Sequence, residues 1–254
     1  MSGPRSAWTI GKPLADRPLV TLYCFPHAGA IPSEFVRWGS ELPGVEVYGI
    51  CAPGRGPRSR EREPDTIEEF VRDLVDETEF AEPAVFFGHS LGALTAFETI
   101  RELRARGKPL PRKLIASAHA APQLGRTATG LAGLADPQLM AEIEARYGAL
   151  PPHVTTNPEL TALVMQTFRA DSRLLDSYRH EPGDPLPLPL EVFGGEQDTS
   201  VPPDALLAWR DQTAGDFTAH WFTGDHFYFR HDPEPVYAAI RNSLLRPLPS
   251  KAGR

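Results

Sequence analysis

The sequence predicts an α/β fold: a mostly parallel central sheet flanked by helices, with a helical insertion. Two observations carry this prediction. Short β-rich runs alternate with helical stretches, and one run passes through a glycine-bounded turn straight into a helix. The β-rich runs are Leu19–Phe25, Val45–Cys51, Ala84–Phe87, Lys113–Ala118, Leu190–Phe193 and Phe217–Phe222. Between Thr66 and Phe80, the residues Ile67, Phe70, Val71, Leu74 and Val75 fall on one helical face, with Asp65 or Thr66 as N-cap and acidic residues early. Ser90–Arg106 reads as the next helix, closed by Gly107, with Arg101, Arg104 and Arg106 near its negative end. Another helix opens at Asp232-Pro233, a cap followed by proline at the first helical position. Strands alternating with helices imply a sheet covered on both faces, which binds ligands at the carboxyl ends of its strands.

The alternation breaks between Ala118 and Leu190. There Gln138–Tyr147, Pro158–Phe168 and Asp171–Tyr178 have helical character, set apart by Pro151-Pro152 and the Pro182–Pro189 segment. An insertion that leaves the sheet at its ligand-binding edge is placed to act as a lid; a plain cover for apolar surface is the alternative. The expected organisation is one domain over 1–254: a core of about 18–120 and 187–245, a helical lid of about 121–186, and flexible tails at 1–17 and 246–254.

A chain of 254 residues with a net charge of −7 suits a single substantial core. The acidic balance argues against a nucleic-acid partner. Apolar runs such as Val20–Phe25 are far too short to cross a bilayer, so no membrane partner is expected. Residues 1–18 mix charges with prolines and have no apolar stretch resembling a signal peptide, which makes the cytoplasm the default location. Cys24 and Cys51 lie in strand-like segments as small buried thiols, too few for a disulfide framework or a metal cage.

The chemistry centres on Gly88-His89-Ser90-Leu91-Gly92. A buried strand, Ala84–Phe87, enters this turn and a helix leaves it, as a nucleophile elbow requires. A serine hydroxyl is a poor nucleophile near neutral pH, so a histidine must take its proton and a carboxylate must orient that histidine. In a serine hydrolase of the α/β-hydrolase fold, acid and then histidine follow the serine. Asp198, in the loop Gly194-Gly195-Glu196-Gln197-Asp198 after a strand, is the expected acid; Glu196 is the nearest competitor and Asp204 belongs to the next helix. His226, in the loop Thr223-Gly224-Asp225-His226, is the expected base, ahead of His220 within a strand and His231 beside a helix cap. The oxyanion of the tetrahedral intermediate needs two backbone N–H groups, expected from Leu91 and from Ala28 in Phe25-Pro26-His27-Ala28-Gly29-Ala30. His27 either braces that loop or is an ordinary structural histidine.

Five segments in order, Phe25-Pro26-His27-Ala28-Gly29, Ala52-Pro53-Gly54-Arg55-Gly56, Gly88-His89-Ser90-Leu91-Gly92, Gly194-Gly195-Glu196-Gln197-Asp198 and Gly224-Asp225-His226-Phe227, resemble the type II thioesterases that accompany polyketide and nonribosomal peptide synthases. The similarity runs from about Leu19 to Leu245. It implies hydrolysis of acyl groups held as thioesters on the phosphopantetheine arm of an acyl or peptidyl carrier protein, clearing stalled units. The phosphopantetheine arrives on that partner, and no cofactor is bound permanently. The resemblance also implies Ser90, Asp198 and His226 as triad and Leu91 with Ala28 as oxyanion hole. The sequence departs from the family at Ala30 and Asp225, where glycine is common. A carboxylesterase or lipase, or a non-catalytic binding module on the same fold, are the other readings.

Carrier proteins in such systems are acidic, and so is this chain, so attraction between them must be local. Arg58, Arg60 and Arg62, after the second β-rich run, are the expected docking residues; the alternative is that Glu61, Glu63 and Asp65 among them neutralise the cluster and that Arg55 is a buried structural contact. Some of the lid residues Leu139, Met140, Ile143, Leu160, Leu163, Val164, Met165 and Phe168 are expected to line an acyl channel, packing within the insertion being the alternative for each.

Overall fold

The computed structural model describes residues 6–125, 130–147, 150 and 152–245. Among these, seven strands form one sheet in the order β1-β3-β2-β4-β5-β6-β7: β1 is Thr9–Gly11, β2 Val20–Phe25, β3 Val45–Ile50, β4 Ala84–His89, β5 Leu114–Ser117, β6 Leu190–Gly195 and β7 Phe217–Phe222. All neighbours run parallel except β1, which is antiparallel to β3 with Ile10 opposite Gly49. Every residue of β2 to β6 is buried. Near-continuous apolar strands of this kind need cover on both faces.

Helices supply it: α1 (Ser33–Val36), α2 (Ile67–Glu77), α3 (Leu91–Ala105), then α4 (Asp136–Tyr147), α5 (Pro152–Thr155) and α6 (Pro158–Ser177) between β5 and β6, and finally α7 (Pro203–Leu207), α8 (Tyr228–His231) and α9 (Pro233–Leu245). Thr66 caps α2, its hydroxyl accepting from the Glu69 N–H at 3.2 Å, and the five apolar residues expected on one face are all buried. Gly107, at φ +63°, follows α3 in the left-handed conformation that ends many helices.

Two expectations require correction. Residues 1–17 are not wholly a flexible tail: β1 lies there, and Trp8 is fully buried. Its indole N–H donates to Glu77 at 3.0 Å, its ring meets Phe70 edge to face, and the Arg58 guanidinium stacks over it at 4.5 Å. Burying one large aromatic outweighs the cost of ordering a few polar neighbours, which is how a proline-rich segment becomes an edge strand. The expected tail at 246–254 lies outside the described residues. The second correction concerns Pro158–Phe168 and Asp171–Tyr178, which are one helix, α6, capped by Asn157. Arg169 and Ala170 between them are no breakers, and the hydroxyls of Thr167 and Ser172 donate back to the carbonyls of Leu163 and Phe168 at 2.9 and 2.7 Å.

Candidate active site

β4 delivers Ser90 at the top of the sheet in a conformation most residues avoid, φ +54° and ψ −120°. Such backbone costs on the order of 1–3 kcal/mol and persists only where its surroundings enforce it. Here the Ser90 N–H donates to the Ser117 carbonyl at 2.8 Å, and the Ser90 carbonyl accepts from Ala93 at 2.9 Å. A Cβ on Gly88 would collide with the backbone of Gly92, and one on Gly92 with the carbonyl of Phe25. Both glycines are therefore steric requirements. They let α3 approach β4 and bring its N-terminal N–H groups, including that of Leu91, beside the loop after β2.

His226 and Asp198 come from the loops after β7 and β6. Gly195 allows those loops to lie back to back, since a Cβ there would strike the carbonyls of Gly224 and Asp225. The His226 Nδ1–H donates to Asp198 Oδ2 at 2.8 Å, and both side chains are buried. This fixes the tautomer that leaves Nε2 free to accept a proton. Glu196, the competing acid, is exposed and accepts from Thr223 instead. Asp204 lies in α7, as read from the sequence. Of the other histidines, His220 faces Glu191 at 3.5 Å on the sheet and His231 is exposed beside Asp225.

Ser200 went unnoticed in the sequence. Its N–H and Oγ both donate to Asp198 Oδ1, at 2.8 and 2.6 Å, and its Oγ lies 3.0 Å from His226 Nδ1. The Asp-x-Ser spacing of an Asx turn is the signal that points to it. Burial by itself would raise the Asp198 carboxyl; the hydrogen bond and charge of His226, then Ser200, outweigh it and hold the group below its usual range. His89 is pushed well below the ordinary histidine range, by burial first and then by the charges of His226 and His27, and so stays neutral. Its Nδ1 is 2.7 Å from the Ser117 hydroxyl, which in turn lies 2.6 Å from the Tyr228 hydroxyl.

The loop after β2 is braced from two sides. His27 donates through Nδ1 to the Ala28 carbonyl at 2.9 Å, while Nε2 meets Glu34 and Arg230, each at 3.0 Å. On the other side the Gly29 N–H donates to Asp171 of α6 at 2.8 Å, and Asp171 also takes a two-pronged contact from Arg55 at 2.6 and 3.1 Å. Asp171 was not singled out in the sequence, though a carboxylate on the apolar face of an amphipathic helix asks for a partner. The two departures from family glycine are readily accommodated: among the described residues only Ser90 and Ala118 combine a side chain with positive φ, so Ala30 and Asp225 occupy ordinary backbone.

Ala28, Ser90 and His226 line one cavity of about 540 Å³, roofed by the insertion. Of the residues expected in its wall, Ile143, Leu160, Leu163, Val164 and Phe168 are there. Leu139, Met140 and Met165 pack instead in the core of the insertion. The wall residues Ile31, Arg37, Leu160, Leu163 and Arg230 are exposed and form the rim of the cavity.

The arginines expected to dock a carrier do not behave alike. Arg58 is buried, donating to the Cys51 carbonyl at 3.2 Å and to Glu61 at 2.6 Å while stacking on Trp8. It is a structural residue and is removed from that set. Arg62 is exposed and pairs with Asp65 and Glu69. Arg60 is exposed.

Comparison with known proteins identifies the family. A thioesterase domain family model matches residues 20–244. The thioesterase PikA5 of Streptomyces venezuelae is 34% identical over 91% of this chain and 83% of its own length. The gramicidin S biosynthesis protein GrsT of Aneurinibacillus migulanus is 31% identical over 87% of each. Among solved structures, the type II thioesterase BorB of the borrelidin cluster superposes with a TM-score of 0.83 at 30% identity, covering 93% of this chain and 97% of its own. No described helix is long and apolar enough to cross a membrane. A match over nearly the whole chain, with the α/β-hydrolase sheet beneath it, establishes that this protein belongs to the thioesterase family, as a hydrolase akin to the type II enzymes of polyketide and nonribosomal peptide clusters.

Proposed function

We propose that the protein hydrolyses acyl groups from the phosphopantetheine arm of an acyl or peptidyl carrier protein in the cytoplasm, clearing stalled or aberrant units from a polyketide or nonribosomal peptide synthase. The observation that carries the proposal is the buried His226–Asp198 pair, whose histidine lines the same apolar cavity as Ser90. In this reading Ser90 Oγ attacks the thioester carbonyl as His226 Nε2 takes its proton. The N–H groups of Ala28 and Leu91 receive the oxyanion. The intermediate expels the thiol, which takes the proton from His226. A water activated by the same histidine then releases the acid and restores Ser90. A thiol with a pKa of about 8.5 is a good leaving group, so the reaction requires no resident cofactor.

The part of the wall formed by Ile143, Val154, Leu163 and Phe168 favours an apolar acyl chain, whereas Glu34, Arg37 and Arg230 line another part of the same cavity. One acyl group presented on a carrier protein, on a small thiol and on a simple alcohol tests the reading. Preference in that order is expected; the alcohol ester as the best substrate would make the protein a carboxylesterase.

A further inference from the structure

Helix α6 reaches the loop after β2 at two points one turn apart. Phe168 lies over Gly29, where a Cβ would come within 2.9 Å of its ring. Asp171 accepts the Gly29 N–H at 2.8 Å. Gly29 itself has φ +75°, so both its conformation and the space above it exclude a side chain. Asp171 is 1% exposed and Arg55 6% exposed, and the guanidinium grips the carboxylate through two N–H groups. The three groups come from different parts of the chain: the loop after β2, the loop after β3 and the insertion.

A lone ion pair buried this deeply would contribute little net stability, because desolvation cancels most of the attraction. The pair does something a purely apolar contact would not: it supplies a fixed acceptor to the peptide group joining Ala28 and Gly29. That peptide plane is one of the two that meet at the Ala28 Cα, so orienting it restricts the conformation of Ala28, whose own N–H belongs to the preceding peptide. We infer that Asp171, held by Arg55, is a positioning residue for the oxyanion hole, so that the helical insertion fixes the geometry of acyl transfer as well as covering the substrate. This rests on the reading of Ala28 as an oxyanion donor. Arg55 acts through Asp171, and neither touches the reacting atoms.

The test separates the acceptor from the ion pair. Arg55→Met/Asp171→Asn and Arg55→Met/Asp171→Leu both remove the two charges, but only the first keeps an oxygen opposite the Gly29 N–H. With a short acyl thiol ester, the asparagine variant should keep kcat within about threefold of the parent. The leucine variant should lose on the order of 10²-fold in kcat, as removal of an oxyanion donor does, with little change in KM. A trifluoromethyl ketone analogue of the tetrahedral intermediate should weaken by the same factor. Equal kcat in the two variants, whether high or low, or a loss confined to KM, overturns the inference. Should the leucine variant not fold, the Gly29 amide of the parent protein decides: strong protection from hydrogen exchange is expected, and exchange at the rate of an open loop overturns it. Reaction of the parent with a fluorophosphonate keeps the two readings apart. A failure to modify Ser90 sinks the proposed acyl-transfer site, whereas modified Ser90 with indistinguishable variants sinks only the role of Asp171.

Discussion

Ser90 owes its position to atoms that are absent as much as to those present: two glycines without Cβ let helix and strand close around it. Ser90→Ala removes only a hydroxyl from a conformation the neighbouring glycines already enforce. It should fold normally, fail to form an acyl-enzyme and lose at least about 10³-fold in turnover. Ser200→Ala keeps the triad candidates but withdraws one donor from Asp198, so kcat should fall about tenfold with KM unchanged; an unchanged kcat would make Ser200 a loop residue only. Glu34 offers a test by pH. Burial alone would raise its carboxyl, but His27 and then Arg230 outweigh that and hold it below the usual carboxylate range. A depressed folded value means that its stabilisation is complete above about pH 4.3 and is lost as pH falls through the folded value. The denaturation midpoint of Glu34→Gln should therefore lie below the parent at pH 7 and converge with it in acid. The placement of Ser90, Asp198 and His226 in turns and loops just after strands was legible in the sequence, because apolar runs there end at glycine-bounded segments. Ser200, Asp171 and Glu34 were not, because what they do depends on partners distant in sequence or on a local turn that charge patterns do not reveal.

At the level of elements, the parallel strands were readable from apolar runs and the helices from their periodicity. Strand β1 escaped because three residues in a proline-rich segment have too little periodicity to register, and only the tertiary burial of Trp8 orders them. The division of α6 into two fell at Arg169 and Ala170, neither of which breaks a helix, and the helix runs on through them. Enlarging the cavity wall tests what the insertion does for substrate choice. Leu163→Trp or Val164→Phe should shift hydrolysis toward shorter acyl chains while leaving the rate on an acetyl thioester within about twofold. A change in thermal stability with no change in chain-length profile would mean the insertion only covers the sheet.

The whole molecule carries a net charge of −7, so an acidic carrier gains nothing from long-range attraction and must find a local basic feature. With Arg58 buried and Arg62 paired, Arg60 is the remaining exposed candidate of the original three. Arg60→Glu should raise KM for an acyl-carrier substrate severalfold and flatten its salt dependence, while hydrolysis of a small acyl thiol ester stays the same. Equal KM for the carrier substrate in both proteins would move the docking surface to the cavity opening, where Arg37 is exposed.

Burial along α6 is graded. Leu160 and Leu163 are more than a third exposed, whereas Phe168, Asp171, Leu174 and Leu175 are all buried, the two leucines within the main core of the sheet. The helix is thus a cantilever, clamped at its C-terminal half and projecting over the cavity at the other. Swinging the whole helix as one piece would tear Asp171 and Leu174 from their buried seats. Fraying at the more exposed end, together with α5 beside it, is the expected route of access, and hydrogen exchange along α6 should then slow progressively from residue 160 to residue 175. A substrate would then enter by loosening the tip of the beam while its root, which touches the loop beside Ser90, stays still.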